Sequence, residues 1–113
     1  MVWYGKIEAP MSAEINEAFE QYKDRVNTVE LKLDSGGGSV KEGERVISIL
    51  QNIKKTHKLA TAVGAGKKCG SMCVFIYVQG QKRLAAPASL WLFHEVSIKD
   101  KHTHRIARLD RVR

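Results

Sequence analysis

The chain of 113 residues is 43% hydrophobic and 27% charged, which is typical of a globular protein and excludes extensive disorder and a second domain. The longest uninterrupted apolar run, residues 72–78, is far shorter than the roughly 20 residues that cross a bilayer, so no membrane helix is predicted. The net charge of +7 suggests nucleic-acid binding, but six basic and two acidic residues fall within residues 99–113, where a solvated helix face is the commoner explanation.

The first third of the chain alternates strand and helix patterns. Residues 2–7 predict a strand, and Pro10 with Ser12 marks the start of a helix. Apolar and polar residues then alternate over residues 28–33, which predicts a second strand that stops at Asp34. The predicted buried face of the first helix consists of Ile15, Ala18, Phe19, Tyr22 and Val26.

A triple glycine follows the second strand, within residues 35–40. Ser39 and Glu42 match a capping box, in which the serine accepts from the helix amides and the glutamate reaches back, so a second helix is predicted here. Residues 59–63 predict a third strand. By itself a triple glycine before a cap is most often a tight strand-to-helix connection. The predicted buried stripe of the second helix is Val40, Gly43, Val46, Ile47, Leu50 and Ile53.

The segment of residues 71–78 is ambiguous, because its β-branched and aromatic residues favour a strand whereas an all-apolar surface also fits a buried helix. Local propensity alone favours the strand. Residues 82–86 and Pro87 are predicted to connect to a last strand, residues 90–94, which ends on His94. The alternation of strands and helices predicts an α/β fold with a largely parallel sheet covered by helices.

Two cysteines, Cys69 and Cys73, flank Ser71. A metal site needs about four ligands and the neighbouring sequence supplies no others, so no metal is predicted. A disulfide needs Cα atoms within about 7 Å and suitable side-chain directions, which one helical turn permits poorly. We therefore predict that both cysteines are small buried residues without a disulfide.

Ser71 and His94 have the chemistry of a nucleophile and its general base. A serine hydroxyl becomes reactive when an imidazole removes its proton, and the unperturbed histidine pKa of about 6.5 suits that task. If Ser71 begins a helix, the Met72 N–H is an unpaired amide that can hold an oxyanion, and Gly38 can supply a second donor. Alone, such a serine is more often a helix cap and such a histidine a core residue.

Three features follow one another in the sequence: the triple glycine, Ser71 with Met72, and a strand that ends on His94. Their order resembles that in the proteolytic subunit of Clp protease and its relatives in the crotonase-like superfamily of serine peptidases. Those proteins carry a strand, a Ser-Pro-Gly-Gly type loop and a helix, then a Ser-Met helix start, then a strand ending in histidine. Gly36 stands here in place of the proline. The resemblance implies a crotonase-like α/β fold with a mostly parallel sheet, flanking helices and a buried central helix from about Ser71. We expect one such domain over residues 1–113, truncated in its last helix, with the C-terminal part of the fold absent.

The resemblance also implies roles for individual residues. Ser71 would be the nucleophile, His94 the general base, and the backbone amides of Gly38 and Met72 the oxyanion hole. The implied reaction is peptide-bond hydrolysis through an acyl-serine intermediate, with no cofactor. The implied partners are a polypeptide substrate, identical subunits and an AAA+ ATPase. The substrate-binding loop would consist of Gly36, Gly37 and Ser39.

The third catalytic residue of the family, an aspartate, would lie beyond Arg113, and neither Asp100 nor Asp110 is a credible substitute. Because the acid that orients the imidazole is worth about four orders of magnitude in rate, the chain should be nearly inert alone. It is then a piece of a longer enzyme or a catalytically inactive peptide-binding or assembly module of the same fold. Cys69, beside two lysines, is an alternative nucleophile. We expect a cytoplasmic location, since no secretory signal is visible, or a periplasmic one if the N-terminus is truncated.

Overall fold

The computed structural model describes residues 1–92, so the predictions for residues 93–113, including His94, lie outside the described residues. Strands and helices alternate over residues 2–63, as predicted. In chain order the elements are β1 (Val2–Tyr4), α1 (Met11–Tyr22), β2 (Thr28–Asp34), α2 (Val40–Ile53), β3 (Lys58–Val63), β4 (Lys68–Gly70), α3 (Met72–Tyr77), β5 (Lys82–Ala85) and β6 (Leu90–Leu92).

The strands form a four-stranded sheet in the order β1-β2-β3-β5 and a two-stranded sheet of β4 and β6. All strand pairs among residues 1–92 are parallel, as expected where strands are joined by helical crossovers. The prediction of an α/β fold with a mostly parallel sheet is therefore confirmed. The separate second sheet was not predicted, because β4 has only three residues and its lysine and glycine give no strand pattern.

Both long helices bury one apolar face in a core that they share with β2 and β3. Helix α1 ends at Tyr22, so Val26 lies beyond it and both residues are exposed, which corrects the predicted stripe. Val40 was also predicted to be buried but is 60% exposed, because it is the first residue of α2 and the buried face there begins with Glu42. The continuous core comprises Ile7, Met11, Ile15, Phe19, Val29, Leu31, Leu33, Val46, Leu50, Ile53, Leu59, Val63, Cys69, Cys73 and Ile76.

Of the two hydrogen bonds that the predicted capping box requires, only one forms. The Ser39 hydroxyl accepts from the Glu42 N–H at 3.0 Å, as predicted. Glu42 does not reach back, because the Ser39 N–H already donates to the Ile7 carbonyl at 2.7 Å. The Glu42 carboxylate instead accepts from the Ser12 N–H at 2.6 Å and from the Arg45 guanidinium at 3.2 Å, which ties α2 to the start of α1.

The ambiguous segment is a helix, α3, as the family resemblance implied and local propensity did not. Its buried side chains are Met72, Cys73 and Ile76. A Cβ at Gly43 of α2 would overlap the Met72 side chain, so this glycine lets the two helices pack closely. Packing against α2 thus outweighs the β-propensity of the segment. No helix within residues 1–92 is both long and apolar enough to cross a membrane.

Candidate active site

The glycine loop, residues 35–38, is held against strand β4. The Ser35 N–H donates to the Lys68 carbonyl at 2.8 Å, and the Gly70 N–H donates to the Ser35 carbonyl at 2.9 Å. Ser35 is fully buried, and its hydroxyl accepts from the Gly37 N–H at 3.1 Å. These bonds extend the two-stranded sheet by one residue and bring the loop beside the residues that precede Ser71.

Two glycines of the loop are required by space as well as by conformation. Gly37 has φ 114°, and a Cβ at that position would lie 2.6 Å from the Ser71 Cβ. Gly38 has φ 155°, and a Cβ there would overlap the Ile7 backbone. L-residues rarely adopt positive φ, whereas glycine does so readily. The loop therefore passes between Ile7 on one side and Ser71 on the other.

Ser71 lies at the sharp turn between β4 and α3 in an unusual backbone conformation. It is the only non-glycine residue with positive φ within residues 1–92, at φ 50° and ψ −124°. These angles match a turn position that glycine normally occupies and lie outside the regions that L-residues prefer. Such outliers cluster at active sites, where the surrounding structure holds them in place. A strained strand-to-helix turn also exposes a serine hydroxyl, and Ser71 is exposed.

The Ser71 backbone is fixed on both sides of the turn. Its N–H donates to the Leu92 carbonyl at 3.2 Å, and its carbonyl accepts from the Val74 N–H at 3.0 Å. Its hydroxyl makes no hydrogen bond to any of the residues 1–92. The hydroxyl is thus presented at the surface by a restrained backbone.

Two backbone amides, one in the glycine loop and one at the start of α3, have no acceptor in the part of the chain that the structure describes. They are the N–H groups of Gly38 and Met72, the two amides that the sequence predicted as oxyanion donors. Met72 is the first residue of α3, so its N–H has no partner within the helix. Gly38 is exposed and follows Gly37, which packs against Ser71. Both groups can donate to an anion.

Strand β6 ends beside Ser71, since its last residue, Leu92, accepts the hydrogen bond from the Ser71 N–H. It pairs in parallel with β4, with Leu92 opposite Gly70, and a Cβ at Gly70 would lie 2.7 Å from the Leu92 Cβ. Trp91 secures the strand, since its ring packs edge-on against Tyr77 of α3 at 4.8 Å between centroids. The predicted general base, His94, lies two positions after Leu92 and outside the described residues.

The cysteines are joined in a disulfide, so the prediction of two unbridged cysteines is wrong. Cys69 and Cys73 are fully buried, and their Cα atoms are 5.3 Å apart. The prediction placed both in one helical turn, whereas Cys69 lies in β4 and Cys73 lies in α3 after the turn at Ser71. A disulfide sulfur has no thiolate form, so Cys69 is not an alternative nucleophile in this structure.

Asp34 is a site-supporting residue that sequence reasoning passed over. Its carboxylate accepts from the Lys68 N–H at 3.1 Å and lies 3.8 Å from the Lys68 ammonium and 4.0 Å from that of Lys67. These contacts attach the start of β4 to the end of β2. The available signal was an acidic residue at the carboxyl end of a predicted strand, separated from the glycines by one serine.

A groove of about 670 Å³ runs along the glycine loop on the side of Ile7. Ser71 does not line the groove but packs against Gly37, which does. All the residues predicted for the substrate-binding loop border this groove. Its lining consists of Gly5, Lys6, Ile7, Glu8, Gly36, Gly37, Gly38, Ser39 and Lys68.

Comparison with solved structures agrees with the fold. Two structures from Listeria monocytogenes, ClpP1 and a ClpP1 mutant, are similar to the chain with TM-scores of 0.72 and 0.74 at 18% and 17% identity; each match covers 99% of this chain and 68% of the other. The ClpP protease catalytic domain from Plasmodium falciparum has a TM-score of 0.70 at 17% identity, with 94% of this chain and 60% of that chain covered. The TM-scores show that the chain shares the fold of these structures.

No curated protein matches the chain. The sequence model of the Clp protease family, in contrast, matches residues 2–105, which is nearly the whole chain. This match agrees with the α/β fold and its mostly parallel sheet. The chain therefore belongs to the Clp protease family.

Proposed function

We propose that the chain carries the nucleophile and oxyanion hole of a serine peptidase that cleaves peptide bonds through an acyl-serine intermediate. The observation that carries this proposal is the restrained, exposed turn at Ser71, packed against the glycine loop. Ser71 attacks the carbonyl carbon of the substrate, and His94 takes the hydroxyl proton and later gives it to the leaving amine.

The two amides without acceptors support the assignment of an oxyanion hole. As the tetrahedral intermediate forms, negative charge develops on the former carbonyl oxygen, and preorganised donors stabilise it. Met72 directly follows Ser71, and Gly38 follows Gly37, which packs against Ser71; neither N–H makes a hydrogen bond within residues 1–92. Their acceptor would be the oxyanion, and one such donor is typically worth about 3–4 kcal/mol of barrier.

The position of Leu92 supports His94 as the general base. The Leu92 carbonyl accepts from the Ser71 N–H, and two residues of backbone span at most about 7 Å. The proposal requires the two residues after Leu92 to bring an imidazole nitrogen within hydrogen-bond distance of the Ser71 hydroxyl, because only then can it take the proton.

The groove suggests how a polypeptide would bind. Residues 36–39 border the groove and supply backbone N–H and carbonyl groups, which suit an extended peptide added as a strand. Identical subunits and an AAA+ ATPase are proposed as partners on the basis of family membership. A cytoplasmic location is proposed on the basis of family membership, and the periplasm is the alternative, which fits the buried disulfide because thiols are kept reduced in the cytoplasm.

A fluorophosphonate probe tests the proposal directly, because it phosphonylates only an activated serine. The protein produced from its complete coding sequence is expected to be labelled, and Ser71→Ala is expected to abolish labelling. Ser48→Ala is the matched control, since Ser48 is exposed on α2 and should leave labelling unchanged. Labelling that survives Ser71→Ala overturns the assignment of the nucleophile. Absence of labelling in the unaltered protein overturns the peptidase and leaves an inactive module.

A further inference from the structure

We infer that the Cys69–Cys73 disulfide is a positioning element for Ser71, and that its reduction lowers the reactivity of the Ser71 hydroxyl. The inference rests on the proposed function, in which Ser71 is the nucleophile. It adds to that function a redox dependence located two residues on either side of the reacting group.

The disulfide closes a small ring around the proposed chemistry. It joins Cys69 of β4 to Cys73 of α3, with a Cα–Cα distance of 5.3 Å. The ring therefore contains Gly70, Ser71 and Met72, which include the nucleophile and one proposed oxyanion donor. A bridge around so few residues constrains local geometry more than it constrains the unfolded chain, since the latter effect grows with loop length.

One end of the bridge is anchored in the sheet. Cys69 lies opposite Ser35 of the glycine loop on one side and opposite Trp91 of β6 on the other. Cys73, at the other end, is fully buried in the core. The bond thus fixes the first turn of α3 relative to a strand that also holds the glycine loop.

The backbone of the turn at Ser71 would relax to a more favourable conformation if the disulfide were broken. Ser71 is held at φ 50° and ψ −124°, away from the regions that a serine prefers. Strained residues persist only where the surroundings over-determine them. Here the restraints are the backbone bonds of Ser71 to Leu92 and Val74 and the disulfide. Of these restraints, only the disulfide is a covalent cross-link. Its loss therefore lets the Ser71 hydroxyl and the Met72 N–H change their positions relative to Gly38.

The redox step is ordinary thiol–disulfide exchange. A dithiol supplies two electrons and two protons, the Cys69–Cys73 bond breaks, and the two cysteines become thiols while the dithiol closes to a cyclic disulfide. A disulfide oxidant reverses the step and takes up the two electrons and two protons. Because both cysteines are fully buried, exchange requires the turn to open locally, and reduction should be slow.

The test compares fluorophosphonate labelling of Ser71 in the oxidised protein, the protein reduced by dithiothreitol, and the Cys69→Ala/Cys73→Ala variant. Thiol alkylation followed by mass measurement reports the redox state of each sample. We expect the labelling rate to fall at least tenfold on reduction and to recover on reoxidation. The double variant should be labelled slowly with or without the reductant. A bridge that only stabilised the fold would lower the melting temperature and leave the labelling rate of the folded protein unchanged.

Two results would overturn the inference. One is rapid alkylation of both cysteines in the folded protein before any reductant is added, and the other is an unchanged labelling rate in protein verified as reduced. If no sample is labelled, the proposed function fails, and amide hydrogen exchange of Ser71 and Met72 decides the inference separately. Faster exchange of these amides on reduction upholds the positioning role, and unchanged exchange refutes it. Reduced wild-type protein provides this answer even if the double variant does not fold.

Discussion

Gly37 is the point at which the glycine loop comes closest to Ser71. A methyl group added there is unfavourable for two reasons. An L-residue rarely adopts the φ of 114°, and the new carbon would lie only 2.6 Å from the Ser71 Cβ. We expect Gly37→Ala to lower the free energy of unfolding by about 2 kcal/mol or more and to abolish fluorophosphonate labelling. Urea unfolding and the labelling rate measure the two effects.

The neighbouring glycine provides the control. A Cβ at Gly36 would have the Lys68 Cε at 3.7 Å as its nearest neighbour, which is ordinary contact. Gly36→Ala should therefore change stability by no more than about 0.5 kcal/mol and retain labelling. Equal effects of the two substitutions would show that proximity to Ser71 does not explain the result.

Glu42 is a buried carboxylate whose ionisation should make stability depend on pH. Burial raises the pKa of Glu42, but the Ser12 N–H and the Arg45 guanidinium lower it by more, so that it lies below the ordinary value of 4.5. A carboxyl whose folded pKa is depressed contributes stability above its unfolded pKa, and this contribution is lost as the pH falls through the folded pKa. The effect should thus appear below pH 4.5.

Glu42→Gln isolates this contribution. At pH 7 we expect the variant to unfold about 1.5–3 kcal/mol more easily than wild type, which is typical of a lost charge-assisted hydrogen bond. Urea unfolding at a series of pH values should show this gap narrowing as the pH falls below 4.5. The exposed Glu44→Gln serves as control and should show almost no gap. A gap that stays constant down to pH 3 would contradict the assignment.

At the level of elements, strand β2 shows what sequence patterns predict well. Val29, Leu31 and Leu33 alternate in the sequence, and all three are buried on one face. Strand β5 shows the opposite case, because all four residues of Lys82–Ala85 are exposed and their burial does not alternate. It was therefore predicted as a connection. Its strand structure comes from pairing with β3, which no local pattern reveals.

Helix α3 depends on a bond from the neighbouring strand β3. The fully buried Thr61 hydroxyl donates to the Tyr77 carbonyl at 2.6 Å, at the last residue of α3. Thr61→Val keeps the volume but removes the donor, so a buried carbonyl loses its partner. We expect a loss of about 1–3 kcal/mol in the free energy of unfolding, measured by urea denaturation. Thr28→Val, at an exposed position of β2, should change stability little, and an equal loss there would contradict this account.

At the scale of the whole molecule, the two sheets differ in strand length and in how many side chains they contribute to the hydrophobic core. The four-stranded sheet includes β2 and β3, whose side chains form much of the core, whereas β4 and β6 have three residues each. Amide hydrogens in short strands with few buried side chains exchange with solvent through local unfolding. We expect β2 and β3 amides to exchange slowest and those of β4 and β6 to exchange faster, as measured by mass spectrometry or NMR. Uniform protection across both sheets would contradict this prediction.

The same difference explains why the sequence predicts the scaffold better than the site. The long helices and β2 follow from periodicity within their own residues. The disulfide between Cys69 and Cys73 depends on the reversal at Ser71, and the partner of Glu42 is Ser12, on another helix. Such contacts join residues brought together only by folding. The roles of Ser71, Gly38 and Met72 were predicted from family resemblance and stay predictions, as does that of His94.

The pairing of Ile7 with the glycine loop links the first residues of the chain to the proposed oxyanion donor. The Ile7 N–H donates to the Gly37 carbonyl and the Ile7 carbonyl accepts from the Ser39 N–H, so both neighbours of Gly38 are tied to one residue. Removal of the segment up to Ile7 would remove both hydrogen bonds that hold the neighbours of Gly38. Tags and fusion partners for biochemical work on this protein are therefore better attached elsewhere than at its amino end.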